Sequence, residues 1–195
     1  MINVKTALAM AREDFAQGLP SVMALKAGVL MNNAGRLVVP FFGREYVLPV
    51  QEGEEIPAVT EILLLHYLTR ASGELPGGEK ISFKELPDGF IYNTPFSHRV
   101  IRPLVAAFGS EPHLLLRAGV RLGGTAVPFG DAAVEVPALP RVPLTFIIWG
   151  GDEEFPANGG VLFDATVSGY LSTEDCVVLA QAGVSALRAA LKAAE

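Results

Sequence analysis

The chain has 195 residues, half of them hydrophobic and only 18% charged, enough apolar surface for a large core and too much for a disordered chain. Its 21 acidic residues outnumber 15 basic ones, a formal charge of -6, which argues against nucleic acid as a partner. One cysteine, Cys176, excludes an intrachain disulfide and a self-contained iron–sulfur cluster, which needs about four ligands.

Ala and Leu dominate the first segment, where Asn3 can cap a helix running to Gln17 and Leu8, Ala11 and Phe15 share a face. The start, Met1 to Lys5, lacks the basic-then-apolar order of a signal peptide. No apolar run approaches the roughly 20 residues that span a bilayer. The expectation is a cytoplasmic protein with no membrane contact. A short helix over Ser21–Ala27 precedes a hairpin, Gly28–Met31 and Leu37–Phe42 about an Asn32-Asn33-Ala34-Gly35 turn, and then a strand at Tyr46–Leu48. Pro57 after Glu54-Glu55 opens a helix to about Thr69 that is apolar on most sides. Lys80–Phe83 alternates as a short strand, and Thr94-Pro95 opens a helix that Pro103 should kink or split. Another helix starts at Ser110-Glu111-Pro112 and stops near Gly123-Gly124. From Thr125 the period is that of strands: Ala126–Phe129, Ala133–Val136, Leu144–Trp149 and Gly160–Asp164 read as an antiparallel meander. Ser172 then caps a final helix to about Ala193, with Val177, Val184, Leu187 and Leu191 on its apolar stripe. The pattern is α+β, a mostly antiparallel sheet (hairpin plus C-terminal meander) with interleaved helices. With no repeat and no long linker, residues 1–195 read as a single domain.

The densest polar feature is Trp149-Gly150-Gly151-Asp152-Glu153-Glu154-Phe155-Pro156. Its carboxylates suit a hard divalent cation, Trp149 and Phe155 can wall a pocket, and a solvated hairpin turn is the competing reading. Asp164 ends the next strand and joins Asp152 and Glu154 in a metal set only if the loop folds back, because the meander otherwise puts it at the opposite end. Glu174 and Asp175 are fully explained as helix-capping residues behind Ser172. His66, beside Tyr67 and on the same side as Val59, Ile62 and Leu63, is expected to point inward, as an axial or metal ligand or a base, or as a core histidine with one hydrogen bond. Phosphate-loop, zinc and nucleophile-elbow signatures are absent, and Asp175 disfavours a Cys176 thiolate.

Several stretches together resemble an uncharacterised bacterial and archaeal family found mainly in anaerobes, a domain of unknown function. They are Phe42-Gly43-Arg44-Glu45-Tyr46, Leu64-Leu65-His66-Tyr67-Leu68, Phe83-Lys84-Glu85-Leu86-Pro87, Pro140-Arg141-Val142-Pro143-Leu144, the Trp149–Ala157 loop, Leu162-Phe163-Asp164, and Tyr170-Leu171-Ser172-Thr173-Glu174-Asp175. The resemblance implies anaerobic redox, corrinoid or one-carbon metabolism; some members carry an iron–sulfur module that this chain lacks. It transfers no catalytic residue. The leading expectation is a cofactor- or metal-binding accessory protein for a tetrapyrrole, corrinoid or divalent metal, with His66, Tyr67, Trp149 and Phe155 at the cofactor and Asp152, Glu154 and Asp164 at the metal. One alternative is a metal-dependent enzyme built on that acidic set with His66. Another is an interaction partner of an iron–sulfur or corrinoid protein.

Overall fold

The computed structural model describes residues 3–192. Met1 and Ile2, read above for targeting, and Ala193, the expected end of the last helix, lie outside them. The fold is α+β with two antiparallel sheets.

Helices α1 (Val4–Gln17) and α2 (Pro20–Ala27) come first, and the Asn3 side chain accepts from the Lys5 amide at 3.1 Å as the sequence predicts. Strands β1 (Leu30–Met31), β2 (Leu37–Phe41) and β3 (Arg44–Leu48) form the smaller sheet in the order β1-β2-β3. Phe42 (φ 46°) and Gly43 (φ 77°) join β2 to β3 in a two-residue turn with both residues left-handed. That conformation is unusual for a side chain as large as Phe. It is held by the Phe42 amide, which donates to the Ala138 carbonyl at 3.1 Å, and by burial of the ring.

Helix α3 (Ala58–Arg70) follows and packs on α1. Strand β4 (Lys80–Ser82) leads to a single 3₁₀ turn at Phe83–Glu85. Helix α4 (Gly89–Phe96) begins five residues before the expected Thr94. Asp88 takes a left-handed φ of 59°, and Phe83 stacks on Phe96 with ring centroids 4.0 Å apart, so tertiary packing sets this boundary rather than the proline. Pro103 has no N–H to give the Arg99 carbonyl, and the strain is absorbed upstream: Ser97–Ile101 widens into a π turn in which the Arg102 amide donates to Ser97 O. Helix α5 (Arg102–Phe108) continues from it, and α6 (His113–Arg121) follows.

Strands β5 (Thr125–Ala126), β6 (Ala132–Leu139), β7 (Val142–Trp149) and β8 (Asn158–Asp164) make the expected meander, with β4 added beside β8 to give the order β4-β8-β7-β6-β5. A 3₁₀ turn at Ala165–Gly169 precedes α7 (Thr173–Lys192). Val134, Val136, Leu144, Phe146, Val161 and Phe163 share one face of the larger sheet and are buried, as alternation requires. Helices α6 and α7 approach closely through glycines: a β-carbon at Gly119 would lie 2.3 Å from Val134 Cγ2, and one at Gly183 2.5 Å from Phe146 Cζ. Buried residues from both sheets and from α1 to α7 form one contiguous hydrophobic cluster, with Val177, Val184 and Leu187 of α7 inside it. Among the described residues no helix is long and apolar enough to cross a membrane.

Candidate functional site

Helix α3 presents an inversion of its hydropathy. Val59 is exposed, Ile62 and His66 are half-buried, and Glu61 is buried. Arg12 of α1 causes it, covering Glu61 with two parallel hydrogen bonds, Nε to Oε1 at 2.7 Å and Nη2 to Oε2 at 2.9 Å. The Val59–Ile62–His66 stripe is consequently the rim of the helix and not its core face. His66 therefore does not point fully inward: its side chain keeps 27% of its exposure.

What holds His66 is Asp175, 109 residues away, whose Oδ1 lies 2.8 Å from Nδ1. Asp175 occupies the first turn of α7, where Ser172 and Asp175 satisfy one another. The Asp175 amide donates to Ser172 Oγ at 3.2 Å, and Ser172 returns its hydroxyl at 2.6 Å and its amide at 3.1 Å to Oδ2. Arg70 adds a longer contact, Nη1 to Oδ2 at 3.8 Å. Burial alone would raise the Asp175 carboxyl; the bonds from His66 and Ser172 outweigh it and hold the group below its ordinary value. A carboxylate can only accept, so Nδ1 of His66 donates in this bond, and Nε2 is the ring atom left over that could accept or ligate. Arg70 and Ser172, but neither His66 nor Asp175, line a cleft of about 450 Å³ together with Asp88, Tyr92, Thr173 and Val177. On α4, between the cleft residues Asp88 and Tyr92 in sequence, Phe90 and Ile91 stand 77% and 73% exposed.

The other expected residues are placed differently. Tyr67 is buried within the core; its hydroxyl donates to Ala27 O at 2.6 Å and accepts from the Arg141 amide at 3.1 Å, its ring stacks on Tyr170, and burial pushes its phenol well up. Asp164 is buried and fully committed: Oδ1 accepts from the Gly77 amide and from the amide and hydroxyl of Thr166, and Oδ2 from the Gly78 amide at 2.7 Å. Those donors overcome burial and lower its carboxyl, so it ties the loop before β4 to the end of β8. Asp152 accepts from the amides of Glu154 and Phe155 at 2.9 and 2.7 Å, an Asx turn that shapes its own exposed loop. Trp149 is 42% exposed with its ring over Gly160, and Phe155 is 67% exposed.

Asp152 and Glu154 lie beyond the Asn158 end of β8 and Asp164 at the other, about 20 Å apart along the strand. The loop does not return along the sheet, so the expected three-carboxylate set is not assembled. Among the described residues no three His, Cys, Asp or Glu side chains gather where an ion would bind.

Residues 20–186 match the family model described as a domain of unknown function, DUF3786. The chain belongs to the DUF3786 family. Comparisons with curated proteins and with solved structures find no match. Within this DUF3786 chain the residues that sequence reasoning missed are Asp175 and Arg70. Capping accounts for one oxygen of Asp175 so completely that nothing local signals the other. Arg70 follows His66 by one turn, which is the only trace of their shared face.

Proposed function

We propose that the protein binds a metal-bearing cofactor, a tetrapyrrole or corrinoid, through Nε2 of His66, and acts as an accessory protein rather than an enzyme. The observation that carries this reading is the 2.8 Å contact from His66 Nδ1 to Asp175. A ligating histidine characteristically gives its other ring N–H to a carboxylate, which fixes the tautomer and raises the basicity of the free nitrogen. Such a cofactor would be held by Nε2 of His66, with Asp175 orienting the ring, and would supply its own remaining metal donors. A bare ion asks for several protein donors at once. A cleft of about 450 Å³, within the range of small-ligand sites, opens at Arg70 and Ser172, the other partners of Asp175; His66, one turn before Arg70 on α3, does not itself line it. Within this reading the whole chain, 1–195, acts as one domain in the cytoplasm, in keeping with its single core, and the resemblance to a family found mainly in anaerobes supports a role in redox or one-carbon metabolism.

The test is an anaerobic absorption titration with haemin, aquocobalamin and Co²⁺ as probes. Wild type should shift the spectrum of at least one macrocycle, His66→Gln should abolish the shift while remaining folded, and Asp175→Asn should weaken binding about 10–100-fold. Identical titrations for wild type and His66→Gln, or no shift with any probe, would refute the reading.

The exposed pair Phe90 and Ile91 on α4 supports a second reading, docking of an iron–sulfur or corrinoid protein that delivers or uses the cofactor. The acidic set required by the metal-dependent enzyme is dispersed, and that reading has no such support.

A further inference from the structure

The C-terminal half of α7 carries small residues on one side, Ala182, Ala186, Ala189 and Ala190, at the i, i+4, i+7, i+8 spacing of a helix face. Opposite them stands the β2–β3 hairpin. Because no side chain from the helix fills the gap, a groove of about 530 Å³ runs between the two elements. Its wall is aromatic: Phe41 meets Phe42 edge-on at 4.9 Å and Tyr46 edge-on at 6.1 Å. The left-handed Phe42 contributes directly, because that backbone conformation turns its ring against α7, where a β-carbon on Gly183 would lie 2.9 Å from Cζ.

In a chain with six more acidic than basic residues, no carboxylate among the described residues lines the groove, and Arg44 does. Arg44 lies directly across the hairpin from Phe41 and forms no ion pair among the described residues. A second guanidinium, that of Arg121, reaches the far end, where Nη1 donates to the carbonyl of the groove residue Ala190 at 2.7 Å. Its hydroxyls are those of Tyr46, Thr60 and Ser185. The groove thus offers apolar walls for a flat or alkyl body and a cation for a single anionic head.

We propose that this groove is a binding site for a small amphiphilic monoanion, an aromatic or medium-chain carboxylate, with the hydrocarbon against Phe41, Phe42 and Tyr46 and the head on Arg44. It is separate from the His66–Asp175 pair. Ala182, where it begins, is seven residues beyond Asp175, about 10 Å along the axis of α7.

The experiment uses the full chain and 8-anilinonaphthalene-1-sulfonate as a fluorescent probe that is both aromatic and anionic. Wild type should bind it saturably at one site per chain, and decanoate should displace it. Ala189→Trp, which fills the groove from its solvent side and leaves the core untouched, should abolish binding; Ala186→Phe is the second filling variant. Arg44→Gln should weaken the sulfonate about tenfold, the size of one lost charge-assisted contact, yet leave the uncharged N-phenyl-1-naphthylamine unaffected. His66→Gln should change none of these values, which separates failure here from failure of the cofactor reading. No saturable binding, binding unchanged in an Ala189→Trp chain that unfolds as cooperatively as wild type, or equal loss of charged and neutral probes in Arg44→Gln would overturn the proposal.

Discussion

Asp175→Asn removes one charge from a group that works in two directions, and its cost follows from the contacts. One carboxylate oxygen belongs to the α7 capping ring with Ser172, and loss of such a cap costs about 0.5–2 kcal/mol. The other oxygen accepts from His66 at 2.8 Å, and a hydrogen bond to a charged group contributes about 1.5–3 kcal/mol. Asn keeps one acceptor oxygen, so part of the sum survives, and we expect a loss of about 2 kcal/mol at pH 7. At a typical urea slope that lowers the unfolding midpoint by about 1 M without changing the slope. The pH dependence is more diagnostic. Because the folded-state pKa of Asp175 lies below its ordinary 3.8, the carboxylate's contribution is fully present above that value and is lost as pH falls through the lower folded value. The gap between wild type and Asp175→Asn should be present at pH 7 and narrow below pH 4. Parallel urea titrations at pH 7, 5, 4 and 3 measure it, and the difference between the chains cancels the other acidic groups. A gap as large at pH 3 as at pH 7, or none at pH 7, refutes the reasoning.

Leu187→Ala deletes a fully buried side chain on the docking stripe of α7 and should cost about 2–5 kcal/mol; an unchanged denaturation midpoint would mean that the helix does not depend on that contact. Tyr67→Phe strands the Ala27 carbonyl and the Arg141 amide inside the core and should cost about 1–3 kcal/mol, read as a lower thermal midpoint. If the midpoint is unmoved, those groups have found other partners.

Legibility in the sequence tracked how local the controlling forces are. Asn3 and Ser172 cap their helices as read, and the meander follows from period-two alternation, because both depend on neighbours along the chain. Where a distant element decides, the sequence misleads. Val59 belongs to the apolar count of α3 and Glu61 does not, yet Glu61 is the buried one, because Arg12 of another helix supplies the partner that makes burial of a carboxylate tolerable. Asp164 looked like a metal ligand because a carboxylate at a strand end is chemically open. The amides of Gly77 and Gly78, 87 and 86 residues away, close it. The objection from simple meander geometry, that Asp164 lies at the far end from Asp152, was the correct physics. The Trp149–Pro156 loop did not override it.

Helix α7 shows why the candidate sites were the least legible part. Its amphipathic stripe and its cap explain every residue needed to dock it, so a sequence reading stops there. Each explanation uses only part of the chemistry. The cap occupies one oxygen of Asp175 and leaves the other for His66; the stripe fixes Val177, Val184 and Leu187 and says nothing of the alanines on another side. Small residues on a helix face read as tolerance, and only the placement of an aromatic hairpin opposite them turns the missing volume into a groove. The two features lie at opposite ends of one helix that is anchored along its length.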